Sequence, residues 1–148
     1  MPTSKESRDT YNLDRFIQAQ EVIYADVLSE LQSGRKRTHW MWFIFPQVAG
    51  LGRSAMADLY AIKSLDEATQ YLNHPVLGVR LLECSETVLG VQGRSVEDLF
   101  DWPDDLKFRS SMTLFSCVAG KGSIFDEVLQ QYFRGEHDTR TLELLGMN

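Results

Sequence analysis

Cationic, aromatic and hydroxyl side chains crowd into three stretches of this 148-residue sequence. The first is Arg35-Lys-Arg-Thr-His39, followed by Trp40 and Trp42. Cations beside indoles suit pairing with a phosphate and stacking on a base. His39 alone among the histidines sits among both cations and tryptophans, which makes it the acid–base candidate, with Lys36 as a second proton carrier. The second is Gly50-Leu-Gly-Arg-Ser54. Gly50 and Gly52 permit close backbone approach, free amides at a helix start attract anions, and Arg53 adds a forked donor beside the Ser54 hydroxyl. The loop has neither Walker nor dinucleotide-fingerprint spacing. The third runs from Asp104 to Thr113. On a helix, Lys107, Ser110 and Ser111 share a face, so Lys107 and Arg109 with the hydroxyls could hold a phosphate or ribose. Asp104 and Asp105 then stand at the helix start.

Each stretch also has a structural reading. The basic run can complement a helix dipole, the glycines can make an ordinary turn, and the aspartates can cap. The tryptophans and His39 can be packed in a core. No His, Cys or carboxylate spacing supports a metal site, no cofactor is implied, and a serine-hydrolase elbow is absent. Cys84 and Cys117 fall on apolar helical faces and read as core.

The charge distribution narrows the ligand class. The chain carries 15 basic and 21 acidic residues, a net −6. From Leu31 to Ala57 there is no Asp or Glu, and the four basic residues give +4; the other 121 residues hold 11 basic and 21 acidic residues, a net −10. A positive segment in an acidic protein suggests a focused anion site, whereas the overall balance disfavours broad nucleic-acid binding. No apolar run approaches the roughly 20 residues of a membrane span. Two cysteines and no hydrophobic leader suggest a reducing, cytoplasmic setting.

The elements that must position these residues are helical. Residues 1–10 read as a mobile tail and 11–148 as a single compact domain, mainly α, of about seven helices. Asn12 is expected to cap a helix running to about Gln32, with Gly34 closing it. Trp40–Phe45 fits a short buried helix or a strand, and any strand content falls in 38–48. Ser54 is expected to cap a short helix to Tyr60, and Ser64 with Glu67 forms a capping box for a helix ending near Asn73. Further helices are expected from about Pro75 to Leu89, from Ser95 to Phe100, from Pro103 to Val118, from Ser123 to Phe133 and from Asp138 to Leu145.

The segments Arg15–Gln20, Gly34–Gln47, Gly50–Ser54, His74–Gly78 and Leu106–Phe115, above all HWMWFIFPQ and GLGRS, closely resemble the family known as domain of unknown function 1810, over about residues 11–146. That family in turn resembles a branch of the YbiA-like superfamily, which includes the NADAR domains. The resemblance implies a compact, mostly helical fold. It also implies cleavage of N-glycosidic bonds in phosphorylated ribosyl compounds, such as riboflavin-pathway intermediates or ADP-ribose on guanine. Phe16-Ile-Gln-Ala-Gln20 is similar to the Gln-Ala-Gln-Lys helix of NADAR domains, but Glu21 stands where lysine would be. An amine at that step would have to come from Lys36 or Lys107.

Two functional expectations result. One is an N-glycosidase-like enzyme acting on an ADP-ribose or nucleotide-type compound. Arg53, Arg109 and Lys107 hold phosphates, and Trp40 or Trp42 stacks on the base. Glu21, Asp104 or Asp105 stabilises an oxocarbenium-like centre, and His39 or Lys36 supplies a proton. Gln47, Gly50, Gly52, Ser54, Ser110 and Ser111 complete the ligand contacts. The other is a nucleotide or phosphate-ligand binding module without catalysis. The site expected for both places Trp40, Arg53 and Lys107 in one pocket, and it fails if they point to separate faces.

Overall fold

The computed structural model describes residues 9–147. Among these there are ten helices and no strand: α1 Asp14–Glu21, α2 Tyr24–Gln32, α3 Met41–Ile44, α4 Ala55–Tyr60, α5 Leu65–Asn73, α6 Leu77–Leu89, α7 Val96–Leu99, α8 Asp104–Ala119, α9 Ile124–Phe133 and α10 Thr139–Leu144. The expected terminal tail lies outside the described residues except for Asp9 and Thr10.

Helix α8 is the central pillar. It packs against α9, α5, α10, α3 and α7. Its polar–apolar alternation is weak because it is covered on most sides, so even Ser110, Ser111, Thr113 and Ser116 are buried. At its N-terminal half, Phe108 stacks on Phe100 with ring centroids 4.6 Å apart and meets Phe45 edge-on at 4.8 Å. Trp40 joins this group through Phe45 and Phe100. Four large aromatics from three separate segments thus form a rigid floor under the 35–42 loop.

The mainly α expectation holds, with more helices than about seven. The long first helix is two. It breaks at Val22 and Ile23, where Ile23 adopts φ −124° and ψ 1° and Val22 is 83% exposed. Asn12 does not cap α1. The Asp9 carboxylate does, accepting from the N–H groups of Leu13 at 2.6 Å and Asp14 at 3.2 Å. The aromatic run is a single helical turn, and beyond it Val48 makes one isolated parallel bridge to Ile62. Gly34, at φ +81°, closes α2 as expected.

Ser54, Ser123 and Asp138 cap their helices as expected. Ser64 accepts from the Glu67 N–H at 3.1 Å, but Glu67 does not return the bond. Its carboxylate instead takes the Lys63 N–H and the Arg15 guanidinium, each at 2.9 Å, which ties α1 to the start of α5. The reciprocal box is at Ser95 and Asp98.

Candidate functional site

The 35–40 loop is fixed at its start, before it reaches the aromatic floor. The Arg35 N–H donates to the Glu30 carbonyl at 3.1 Å, and the Lys36 N–H donates to the Leu99 carbonyl at 2.8 Å. Below the loop the Glu30 carboxylate is buried. Its Oε1 accepts from the N–H of Arg37 at 2.7 Å, the N–H of Thr38 at 3.1 Å and the Trp40 indole at 2.9 Å, and its Oε2 accepts from the Thr38 hydroxyl at 2.7 Å. Burial alone would raise the Glu30 carboxyl; the hydrogen bonds outweigh it and hold the group below the ordinary carboxylate range.

This anchoring turns the loop toward the start of α8. A groove of about 340 Å³ opens between them, lined by Lys36, Arg37, His39, Trp42, Trp102, Asp104 and Lys107 among others. Asp104 stands between two ammonium groups, with Lys36 Nζ 2.8 Å from one oxygen and Lys107 Nζ 3.6 Å from the other. Lys36 lies over the Trp40 ring at 5.1 Å and Lys107 over the Trp42 ring at 5.3 Å. The Lys36 side chain is only 8% exposed, whereas Trp102 is 76% exposed on the groove wall. An indole that open is unusual for a residue that buries so well. The volume sits at the lower end of ligand sites, roughly 300–1,000 Å³.

The expected residues separate into groups. Lys36, His39, Trp42, Asp104 and Lys107 meet in the groove. Trp40, Arg53 and Lys107 do not line one pocket, so the site expected to join all three is not formed and only Lys107 of them reaches the groove. Trp40 is fully buried, because its indole N–H serves Glu30 and its ring fills the floor. Gln47, Gly50 and Gly52 line a separate crevice of about 10 Å³ on another side of Trp42, room for little more than one water. A Cβ on Gly52 would come within 2.5 Å of the Ala57 Cβ, so that glycine serves close packing of the loop on α4. Ser54 caps α4, and Arg53 is exposed and lines neither cavity.

Glu21 is also away from the groove, exposed and 3.4 Å from Arg80 of α6. Arg109 points to the C-terminal segment, donating to the carbonyls of Glu136 at 3.0 Å and His137 at 3.1 Å. Ser110 donates to the Leu106 carbonyl and to Asp138 inside the fold. Ser111 Oγ is buried without a hydrogen-bond partner, as is Asp105 Oδ1. Burial raises the Asp105 carboxyl; backbone N–H groups oppose the shift, and the negative charges of Glu97 and Asp104 add to it.

Sequence reasoning passed over Glu30, Asp101 and Trp102 and gave Arg37 no role. Two signals were available. Glu30 falls on the stripe of α2 that also carries Val27 and Leu31, so the helical period buries a carboxylate. Trp102 lies in Asp-Trp-Pro-Asp-Asp, where flanking charges and proline keep an indole from a helical core position.

With this geometry in place, the comparisons with known proteins set the family. A family model described as protein of unknown function (DUF1810) matches residues 10–145. The chain belongs to the DUF1810 family. This DUF1810 chain is also similar to the conserved hypothetical protein Rv1873 from Mycobacterium tuberculosis, whose crystal structure was determined at 1.38 Å. The two are 50% identical with a TM-score of 0.90, over 93% of this chain and 98% of that one. No curated protein matches this DUF1810 chain. Among its described residues, no helix is long and apolar enough to cross a membrane.

Proposed function

We propose that this chain is an N-glycosidase-like enzyme acting on a phosphorylated ribosyl compound of the ADP-ribose or nucleotide type, with the Lys36–Trp102–Lys107 groove as its site. The observation that carries this reading is the meeting of two lysines, the Asp104 carboxylate between them and an exposed indole in a single groove. Lys107 and Arg37 pair with phosphate. Trp102, with Trp42, offers a surface for the base. Asp104 stabilises positive charge at C1′ as the C1′–N bond breaks, His39 protonates the leaving nitrogen, and water adds at C1′ and returns a proton to the His39 imidazole. The YbiA-like and NADAR kinship implied by the sequence points the same way, and the work expected of a lysine falls to Lys36 or Lys107. The proposed setting is a reducing cytoplasm, in keeping with two free cysteines.

A binding module without catalysis is favoured by one detail. Both Asp104 oxygens face ammonium groups, and the groove's second carboxylate, Asp101, lies 3.2 Å from Arg35, so both acids are already engaged. Incubation with ADP-ribosylated guanine nucleotides and with ribosylaminopyrimidine phosphates separates the two. Release of free base, lost in Asp104→Asn with affinity retained, supports the enzyme. Binding of these compounds with no base released in prolonged incubation supports the module. Absence of binding removes both.

A further inference from the structure

We infer that Glu30 is a positioning residue for the groove, whose buried negative charge acts through the Trp40 indole to hold Lys36 in place. This inference rests on the groove being the site proposed above, but its first test does not.

Glu30 is 7% exposed, and its carboxyl is held toward the ionised form. A buried carboxylate usually keeps a cation beside it. Here all four donors are neutral: two backbone N–H groups, a hydroxyl and an indole N–H. Among the described residues, no Lys, Arg or His stands within ion-pair distance of it. The nearest use of its charge runs through Trp40. An indole that donates to a carboxylate is a richer π donor, and Lys36 Nζ sits over that ring at 5.1 Å. Lys36 then holds Asp104 at 2.8 Å, and Asp104 reaches Lys107. Linked through the neutral Trp40 ring, the charged groups Glu30, Lys36, Asp104 and Lys107 alternate negative and positive from the core into the groove. A neutral residue at position 30 could satisfy the loop's donors, so the carboxylate's distinct contribution is its charge.

Glu30→Gln tests this, because it nearly keeps the shape. The amide oxygen can take the three N–H groups, and the amide nitrogen can donate to the Thr38 hydroxyl oxygen. With far-ultraviolet circular dichroism unchanged, native-state hydrogen exchange of the 36–40 amides and the Trp40 indole should quicken by about tenfold. Exchange unchanged from wild type overturns the inference. If the variant fails to fold, Lys36→Met provides the second route. That change removes the cation over the indole, so it should shift the Trp40 indole N–H resonance and quicken exchange in 36–40 while Glu30 is intact. No change in either overturns the inference.

The site-dependent arm uses ADP-ribose as the probe. Removing a negative charge near an anion site should tighten binding if only the long-range field mattered. Positioning predicts the reverse, about threefold or more weakening, with Glu30→Gln and Lys36→Met non-additive in the double variant. Tighter or unchanged binding, or additive losses, overturns the inference. If wild type binds neither ADP-ribose nor the other ribosyl phosphates, the proposed function falls, and the exchange measurements still decide the role of Glu30.

Discussion

The acid-free segment from Leu31 to Ala57 folds into two regions of opposite character. Its first part, Arg35–Trp42, turns inward on Glu30, spans an aromatic floor and faces the start of α8. Its second part, Gly50–Ser54, packs on α4 and leaves Arg53 in solvent. Both looked equally suited to an anion in one dimension. The difference lies in what each meets. The first part finds acids from elsewhere in the chain, with Lys36 on Asp104 and Arg35 3.2 Å from Asp101. Among the described residues, Arg53 forms no ion pair. A positive stretch becomes a candidate site where distant acids and aromatics fix its cations, and remains solvated where they do not.

The contrast between the two regions depends most on Trp40. Trp40→Ala empties the floor and leaves Glu30 without its indole donor, so it should cost ~3–5 kcal/mol. Urea unfolding followed by circular dichroism measures this. A loss near zero would mean that the floor does not support the loop, and the contrast with Gly50–Ser54 would collapse.

A smaller loss is expected at Asp104. Asp104→Asn removes the negative charge 2.8 Å from the nearly buried Lys36 ammonium. The expected cost is about 1–3 kcal/mol in denaturant unfolding, because Asp104 is itself partly open to water. Inorganic phosphate at low ionic strength should recover part of it in a thermal-shift assay, since freed ammonium groups accept an anion. Sulfate and phosphate without effect would show that these cations are not available to a ligand.

Glu30 and Asp105 respond to pH in opposite senses. The folded Glu30 carboxyl lies below its unfolded value. Its contribution to stability is therefore present above the unfolded pKa and is lost as pH falls through the folded one. Asp105 is the reverse. Its folded carboxyl is raised by burial, so its contribution is present below the unfolded value, about 3.9, and is lost as pH rises through the folded one. Asp105→Asn should therefore raise the melting temperature at pH 7 by a few degrees, with the gain vanishing below about pH 4. Glu30→Gln should lower it at pH 7, with the loss shrinking on acidification. The same sign for both variants would refute this assignment of the two carboxyls.

Much of the helical order was legible because caps and periods are local. Ser54, Ser123 and Asp138 needed only the residues that follow them. The break at Val22–Ile23 was hidden, since neither Gly nor Pro marks it, and the turn at Trp40–Phe45 was too short to show a period. Within the site, Lys36, His39, Trp42, Asp104 and Lys107 were legible by residue type. Their separation from Arg53, Arg109 and Glu21 was not, because it depends on how α8 crosses the 35–42 loop. Trp40 shows the limit most clearly. Beside its neighbour Trp42 it looks interchangeable, yet one ring is fully buried on Glu30 and the other walls the groove.

The smallest effect belongs to Arg53, and it completes the contrast between the two regions. Its guanidinium is exposed and lines neither cavity, so Arg53→Ala should change stability by no more than about 0.5 kcal/mol. Its effect on ADP-ribose affinity should stay below about twofold and fade with added salt, the behaviour of a charge acting at a distance. Lys107→Ala should weaken the same probe several-fold at a salt concentration where Arg53→Ala has none, because Lys107 lies on the groove wall beside Trp42. Titration of both variants at low and physiological ionic strength decides the matter. Equal losses at physiological salt would place Gly50–Ser54 in the binding surface and remove the distinction between the two halves of the positive segment.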